Sequence, residues 1–394
     1  MIHFHSSRSD AAGKAWQETT GQATLLLRNE PDETRLFDLV TRKRIQSWRD
    51  PLEALHWLSD NSMMMPGRWV GYVSYDLGYL LESIGSTARN DLQLPLFVFA
   101  FIPRDTSRPD LPLKSVSDAL PGKMRSTFTQ DAYEHLVEHA KGYIGAGDIF
   151  QINLSQRLTL PTTLSPINVY QQLIQQSPAA YGAMLDFGDF VLVSNSPELF
   201  VHVDPQANGN RRIITRPIKG TRPRIAGMET ELQRSIKDQA ELNMIVDLER
   251  NDLGRVCTIG SVRVSEMRMI EAHPTVYHGV ATIEGLLSPE VKFVDLLAAM
   301  FPGGSVTGAP KIRAMQLIDQ LEPVRRGPYC GAIGYLDTDG SMQFNLAIRT
   351  MILKDGLAHI YVGGGIVADS VPAEEYQETL VKAQAMLRAV GATV

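Results

Sequence analysis

Thr215-Arg216-Pro217-Ile218-Lys219-Gly220-Thr221-Arg222-Pro223-Arg224 sets a single lysine between an isoleucine and a glycine inside a basic, proline-framed segment. Pro217 and Pro223 fix φ and push the residue before each towards extended geometry, which predicts a stiff loop after a short β-branched strand at 213–215. Gly220 lets the backbone come close to a bound molecule. Arg211, Arg212, Arg216, Arg222 and Arg224 crowd the same stretch, and like charge, as well as any burial near Ile218, disfavours a protonated lysine. A lysine ordinarily titrates near ~10.4. Brought down towards neutrality, Lys219 becomes a nucleophile or general base. The same residues also suit an exposed basic loop that meets anions.

Strands precede this segment at hairpin spacing, at 183–185, 190–194 and 199–203, and residues 150–155 alternate apolar and polar side chains. That pattern predicts a large, mainly antiparallel sheet. Thr129 is placed to cap a helix, with Phe128 stapled onto Tyr133 and a stripe of Tyr133, Leu136, Ala140 and Tyr143 that ends at Gly145 and Gly147. The first hundred residues read as strands at 23–27, 36–40, 69–74 and 96–102 with a helix at 51–58. Pro109, Pro112 and Pro121 among polar residues mark 104–126 as a connection, so the chain divides into 1–125 and 126–394.

The chain has 394 residues, 44% hydrophobic and 21% charged, which is ordinary globular composition. A net charge of -6 argues against nucleic acid as the main partner, while the local arginines suit a small anion. Cys257 and Cys330 are too few for a disulfide framework or a zinc site. No long apolar run or leader pattern is present, so a protein of the cytoplasm, with no membrane association, is expected.

Glu198 stands at a strand entry in Ser194-Asn195-Ser196-Pro197-Glu198-Leu199-Phe200, where partial burial would keep a proton available for general acid work; the alternative is a strand-edge glutamate in water. Residues 301–311 (FPGGSVTGAPK) have glycines at phosphate-loop spacing, but Ala309 stands where that loop needs its lysine. Pro310 instead begins a helix with apolar Ile312, Met315 and Ile318 and an amino end able to face an anion. A helix at 229–248 puts Asp238 and Glu241 on one face, and a second, starting near 369–372 after the strand 360–362 and Gly363, Gly364 and Gly365, aligns Glu375, Glu378 and Lys382. Each acidic pair alone reads as a solvated edge; together they could form an oxygen-only cage of the kind magnesium prefers.

Pro217-Ile218-Lys219-Gly220-Thr221 resembles the active-site motif of the aminodeoxychorismate synthase component I family, whereas the similar anthranilate synthase component I usually has alanine at the lysine position. Residues 147–155 (GDIFQINLS), 196–198 (SPE), 247–255 (DLERNDLGR), 277–279 (YHG) and 302–311 (PGGSVTGAPK) are similar to further motifs of that family, and the resemblance spans nearly all of 125–394. It implies an α+β fold of large, mainly antiparallel sheets packed as a sandwich with helices outside. It also implies a magnesium ion on Glu241 and Glu378, with Asp238 and Glu375 acting through water. The substrate, chorismate, would meet Tyr329 and Arg349 at its enolpyruvyl carboxylate, and Gly363, Gly364, Gly365 and Lys382 elsewhere. Lys219 would attack the ring, Glu198 would protonate the leaving hydroxyl, and His278 and Thr307 would support them. The product, 4-amino-4-deoxychorismate, leads to p-aminobenzoate and folate. The chain carries no cysteine-centred glutamine-hydrolysing motif, so a separate glutamine amidotransferase subunit would supply ammonia in a heterodimer. The rival enzyme reading is anthranilate synthase component I, and from another class a non-catalytic anion-binding relative. Asn29, where a serine is common, makes tryptophan binding near 26–29 doubtful.

Overall fold

The computed structural model describes residues 2–5, 19–104 and 123–392; of the connection expected at 104–126, residues 105–122 lie outside the described residues. Among the described residues two antiparallel sheets of nine and twelve strands dominate, with helices against them. The nine-stranded sheet runs from Gly308–Ala309 through Gln151–Pro161, Leu357–Ile366, Thr350–Lys354, Val191–Ser196 and Tyr181–Asp186 to two short amino-terminal strands. In the twelve-stranded sheet, the path starts at Ile218–Pro223 and passes through Val276–Leu286, Arg211–Arg216, Leu199–Pro205, Met342–Leu346 and Ala332–Asp337. Ala332–Asp337 then pairs with Gly67–Val73, so residues 25–48, 67–73 and 97–103 extend the very sheet that carries the lysine strand.

Period-two alternation assigns the faces. Ala183, Leu185, Leu192 and Ile352 point inward and join Trp69, Phe99, Ile213, Ile283 and Phe344 of the other sheet in one core, which makes a sandwich. Their neighbours Met184, Val191, Val193, Met351 and Leu353 point outward. They are covered by Val169, Tyr170 and Leu173 of the helix Pro166–Gln176 and by Ala383, Met386 and Leu387 of Pro372–Ala389. A third cluster sets the helix Gln130–Gly145 and the helix Lys311–Leu321 against Ile152, Leu154 and Ile366. Thr129 Oγ1 accepts from the Ala132 N–H, and the Phe128 and Tyr133 rings lie 6.1 Å apart, so the expected cap and staple both form. Among the described residues no helix is long and apolar enough to cross a membrane.

Four local expectations are corrected. The lysine segment is not a loop: Ile218–Pro223 is an edge strand paired with Val276–Leu286. The helix expected at 229–248 is two helices, Met228–Arg234 and Ile236–Gly254, because Ser235 caps the second by accepting from the Asp238 N–H at 3.3 Å. Ile312 is exposed, and the Lys311–Leu321 helix buries Ala314, Met315, Leu317 and Ile318 instead. Gly363, Gly364 and Gly365 do not follow a strand; they lie within Leu357–Ile366, opposite Ser155, Leu154 and Asn153. At the amino-terminal end, both polar atoms of the Asn29 side chain are engaged, Nδ2 donating to Thr34 Oγ1 and Oδ1 accepting from the Leu96 N–H.

Candidate active site

The lysine strand carries a β-bulge. Ile218 pairs with Val280 and Thr221 with His278, so Lys219 and Gly220 together face the single residue Gly279. A Cβ on Gly279 would lie 2.6 Å from the Lys219 carbonyl oxygen, and one on Gly220, whose φ is +80°, would lie 2.7 Å from Leu232 Cδ1 and 2.9 Å from Asp238 Cγ. Gly220 therefore leaves room for Leu232 of the helix Met228–Arg234 and Asp238 of the helix Ile236–Gly254; its missing side chain is used by the protein itself. The bulge re-aims Lys219 out of the strand's regular alternation. His278 fixes the bulge: Thr221 Oγ1 lies 2.9 Å from its Nδ1, and its ring also bonds the Gly220 carbonyl. Burial, reinforced by Arg349 and His273, pushes His278 well below its usual value, so the ring is neutral.

Lys219 Nζ donates to the Ser305 carbonyl at 3.3 Å. Its pKa is lowered, mainly by burial, with Lys382 the like charge that adds to this while Glu241 and Glu198 oppose it. The arginines expected to do this are occupied elsewhere. Arg216 pairs with Glu271, Arg212 with Glu284, Arg222 with Glu231 and Asp238, and Arg211 and Arg224 bond backbone carbonyls.

Glu198 is buried, and Ser305 Oγ donates to its Oε1 at 2.6 Å. Burial raises its pKa, while Ser305, Lys219, the Ile218 N–H and Arg349 pull the other way. An amine pushed down and a carboxyl pushed up thus stand on either side of one serine. Arg349 is half-buried in a left-handed conformation, φ +49°, close enough to Glu198 and His278 for its charge to act on both. Tyr329 is buried and stacks on Tyr361 with ring centroids 5.4 Å apart. Thr307 Oγ1 donates to the Gly303 carbonyl at 3.0 Å, so its hydroxyl closes the Gly303–Thr307 turn.

The acids approach from the opposite wall. A Cβ on Gly364 would lie 3.2 Å from Glu375 Oε2 and 3.3 Å from Glu378 Oε1, so both carboxylates reach over the glycine strand. Ser370 Oγ donates to Glu375 at 2.6 Å; Lys382 Nζ sits 2.5 Å from Glu378 and donates to the Gly363 carbonyl at 2.9 Å. Burial raises Glu241 and Glu375, and Glu378 raises both further, which places the three carboxylates in one electrostatic neighbourhood. An all-oxygen, mutually repelling set of this kind suits a hard divalent cation. Asp238 is held by Arg222 at 2.9 Å, and among the described residues no three His, Cys, Asp or Glu side chains converge tightly enough to enclose an ion as they stand.

Sequence reading overlooked Ser305, although it lies in the quoted glycine-rich motif, and Glu249. Glu249 is buried on the helix Ile236–Gly254, accepts from Thr215 Oγ1 at 2.9 Å, and is pushed up to about 8 by burial. One turn further on, buried Asp252 binds Lys311.

A family model described as chorismate binding enzyme matches residues 11–388. The chain belongs to that family. It is therefore an enzyme that acts on chorismate. Anthranilate synthase component 1 of Thermus thermophilus is 40% identical over 396 residues, covering 89% of this chain and 84% of that protein. Aminodeoxychorismate synthase component 1 of Escherichia coli is 37% identical over 387 residues, covering 88% and 84%. The crystal structure of anthranilate synthase component I from Streptococcus pneumoniae superposes with a TM-score of 0.82 at 31% identity, over 97% of this chain and 94% of that one. Overall identity does not separate the two reactions among these chorismate enzymes; the site residues must.

Proposed function

We propose that this chorismate enzyme aminates carbon 4 of the ring, as aminodeoxychorismate synthase component I, through a covalent adduct on Lys219. The observation that carries the reading is the pairing of a lysine amine and a buried glutamic acid across Ser305, at 3.3 and 2.6 Å. Amination at carbon 2 with loss of pyruvate, the anthranilate synthase reaction, is favoured by the Thermus relative, but it leaves the Lys219 amine without a task.

Burial lets Lys219 shed its proton, so its nitrogen lone pair can bond to ring carbon 2. The ring electrons shift, the carbon 4–oxygen bond breaks, and the oxygen leaves as water with the proton that Glu198 holds. Ammonia then bonds to carbon 4, the electrons shift back, and the carbon 2–nitrogen bond breaks with its pair returning to Lys219. The proton released by the incoming ammonia restores Glu198 to its acid form. Arg349 is the cation beside this acid, suited to hold the enolpyruvyl carboxylate, with Tyr329, one of whose faces is stacked on Tyr361, as the further substrate contact. Glu241 and Glu378, with Glu375 behind them, are the residues that would hold magnesium; Asp238 is the outer member, tied to Arg222. When bound, magnesium supplies positive charge against the ring carboxylate. Ammonia would come from a separate glutamine-hydrolysing subunit, the partner that the relatives' designation as component 1 suggests.

Purified protein incubated with chorismate, magnesium and an ammonium salt tests the reading by the mass of its product. 4-Amino-4-deoxychorismate, which keeps the enolpyruvyl group, is expected; anthranilate with free pyruvate would overturn it.

A further inference from the structure

We propose that Ser305 is the positioning residue that fixes the acid and the amine of this site relative to each other, its hydroxyl orienting Glu198 and its carbonyl orienting Lys219. The proposal rests on the lysine–acid reading above and names the part that aligns it. Ser305 is buried in the single turn Gly304–Val306. Its Oγ donates to Glu198 Oε1 at 2.6 Å, which fixes the orientation of the carboxyl. Its carbonyl accepts from Lys219 Nζ at 3.3 Å and from Asn153 Nδ2 at 2.9 Å. A neutral amine that spends one N–H on a fixed carbonyl has its lone pair restricted in direction.

The turn is braced on every side. A Cβ on Gly304 would lie 2.4 Å from Leu248 Cδ2, and one on Gly303 2.8 Å from Leu346 Cδ2, so these two residues press directly on their neighbours. Thr307 Oγ1 holds the Gly303 carbonyl, and Arg326 Nη1 holds the Val306 carbonyl at 2.9 Å. Arg326 is itself locked by a buried bidentate pair of hydrogen bonds to Glu322, which also accepts from the Ser155 N–H and hydroxyl. A serine on so rigid a support transmits its geometry to both groups it touches.

The charged and titratable groups facing Glu198 are Lys219 from its edge strand, Arg349 from the bend before Thr350–Lys354, Cys330, and Glu249 from the helix Ile236–Gly254. Loss of the Ser305 donor withdraws support from the Glu198 carboxylate, so its titration moves upward. The test compares Ser305→Ala, Ser305→Cys and Ser305→Thr with wild type in ammonia-dependent turnover across pH, using Glu198→Gln to identify the limb that belongs to the acid. Cysteine keeps the volume but is a poor donor, so it serves if alanine leaves the turn unfolded; threonine keeps the hydroxyl.

The expected result is a fall in kcat of roughly 10²-fold for alanine or cysteine with KM changed little, a Glu198 limb moved to higher pH, and recovery of both in threonine. A kcat near wild type in the cysteine variant, or a fall with the limb unmoved, would overturn the role. The product formed by wild type is a separate readout. Should it be anthranilate, the lysine-adduct reading fails, while the limb shift still decides whether Ser305 aligns Glu198.

Discussion

Lys311 Nζ donates to Asp252 Oδ2 at 2.6 Å with both side chains buried, and the same ammonium donates to the Met300 carbonyl at 3.0 Å. This pair joins the end of the helix that carries Glu241 to the start of the helix that follows the Ser305 turn. Two motifs some sixty residues apart in the chain are thus one structural unit. Removing one partner strands a buried charge, so Lys311→Met or Asp252→Asn should each destabilise the fold by roughly 3–5 kcal/mol, and the double variant by less than the sum. Urea unfolding of the four proteins measures it; small additive losses would contradict the coupling.

Gly220→Ala should hurt catalysis more than folding. A side chain at φ +80° is strained, and its Cβ would press on Leu232 and Asp238, at a cost of about 1–3 kcal/mol. Relief of that strain shifts the bulge and with it Lys219, so kcat should fall by about 10-fold or more. Steady-state kinetics beside thermal unfolding separates the two effects, and an unchanged kcat would show that the bulge does not set the lysine.

Glu249 makes stability depend on pH in a defined direction. Its folded-state value of about 8 lies above that of an unfolded glutamic acid. Between the ordinary carboxylate range and about 8 the unfolded chain releases this proton and the folded chain retains it, so stability falls as pH rises through that window. Glu249→Gln stays neutral and should remove the fall, being the more stable protein at about pH 8.5 by on the order of 1–3 kcal/mol and no more stable at about pH 4. Denaturant titrations at the two pH values check it; parallel loss in both proteins would contradict a buried neutral acid.

Glu241→Gln removes one charge from the acid wall without changing its size. Manganese binding followed by electron paramagnetic resonance should weaken by about tenfold or more, as should the magnesium dependence of turnover. Equal ion affinity in the two proteins would remove Glu241 from the ligand set.

Much of the fold was legible because its signals are local. Thr129, Phe128 and Tyr133 announce a helix start with cap and staple, and alternation in residues such as Leu192 and Val193 assigns the two faces of a strand. What failed depended on partners distant in the chain. The prolines around Lys219 read as a loop because the pairing strand lies some sixty residues downstream, and the bulge at Lys219 and Gly220 exists only relative to Gly279 on that strand. The five arginines looked like the lysine's neighbours in sequence, but Glu271, Glu284, Glu231 and Asp238 claim three of them in space. In the site, Glu198 and Lys219 were marked by motif and Glu375 and Glu378 by helical spacing, whereas Ser305 and Glu249, though inside quoted motifs, acquire meaning only from burial and from what their oxygens touch.

Intact-mass analysis of enzyme given chorismate and magnesium without ammonia tests the lysine chemistry most directly. The expected result is a protein heavier by one chorismate less one water, with peptide mapping placing the addition on Lys219, and neither adduct nor ammonia-dependent product in Lys219→Ala. An unmodified Lys219 during active turnover, together with full aminodeoxychorismate formation by the alanine variant, would contradict it.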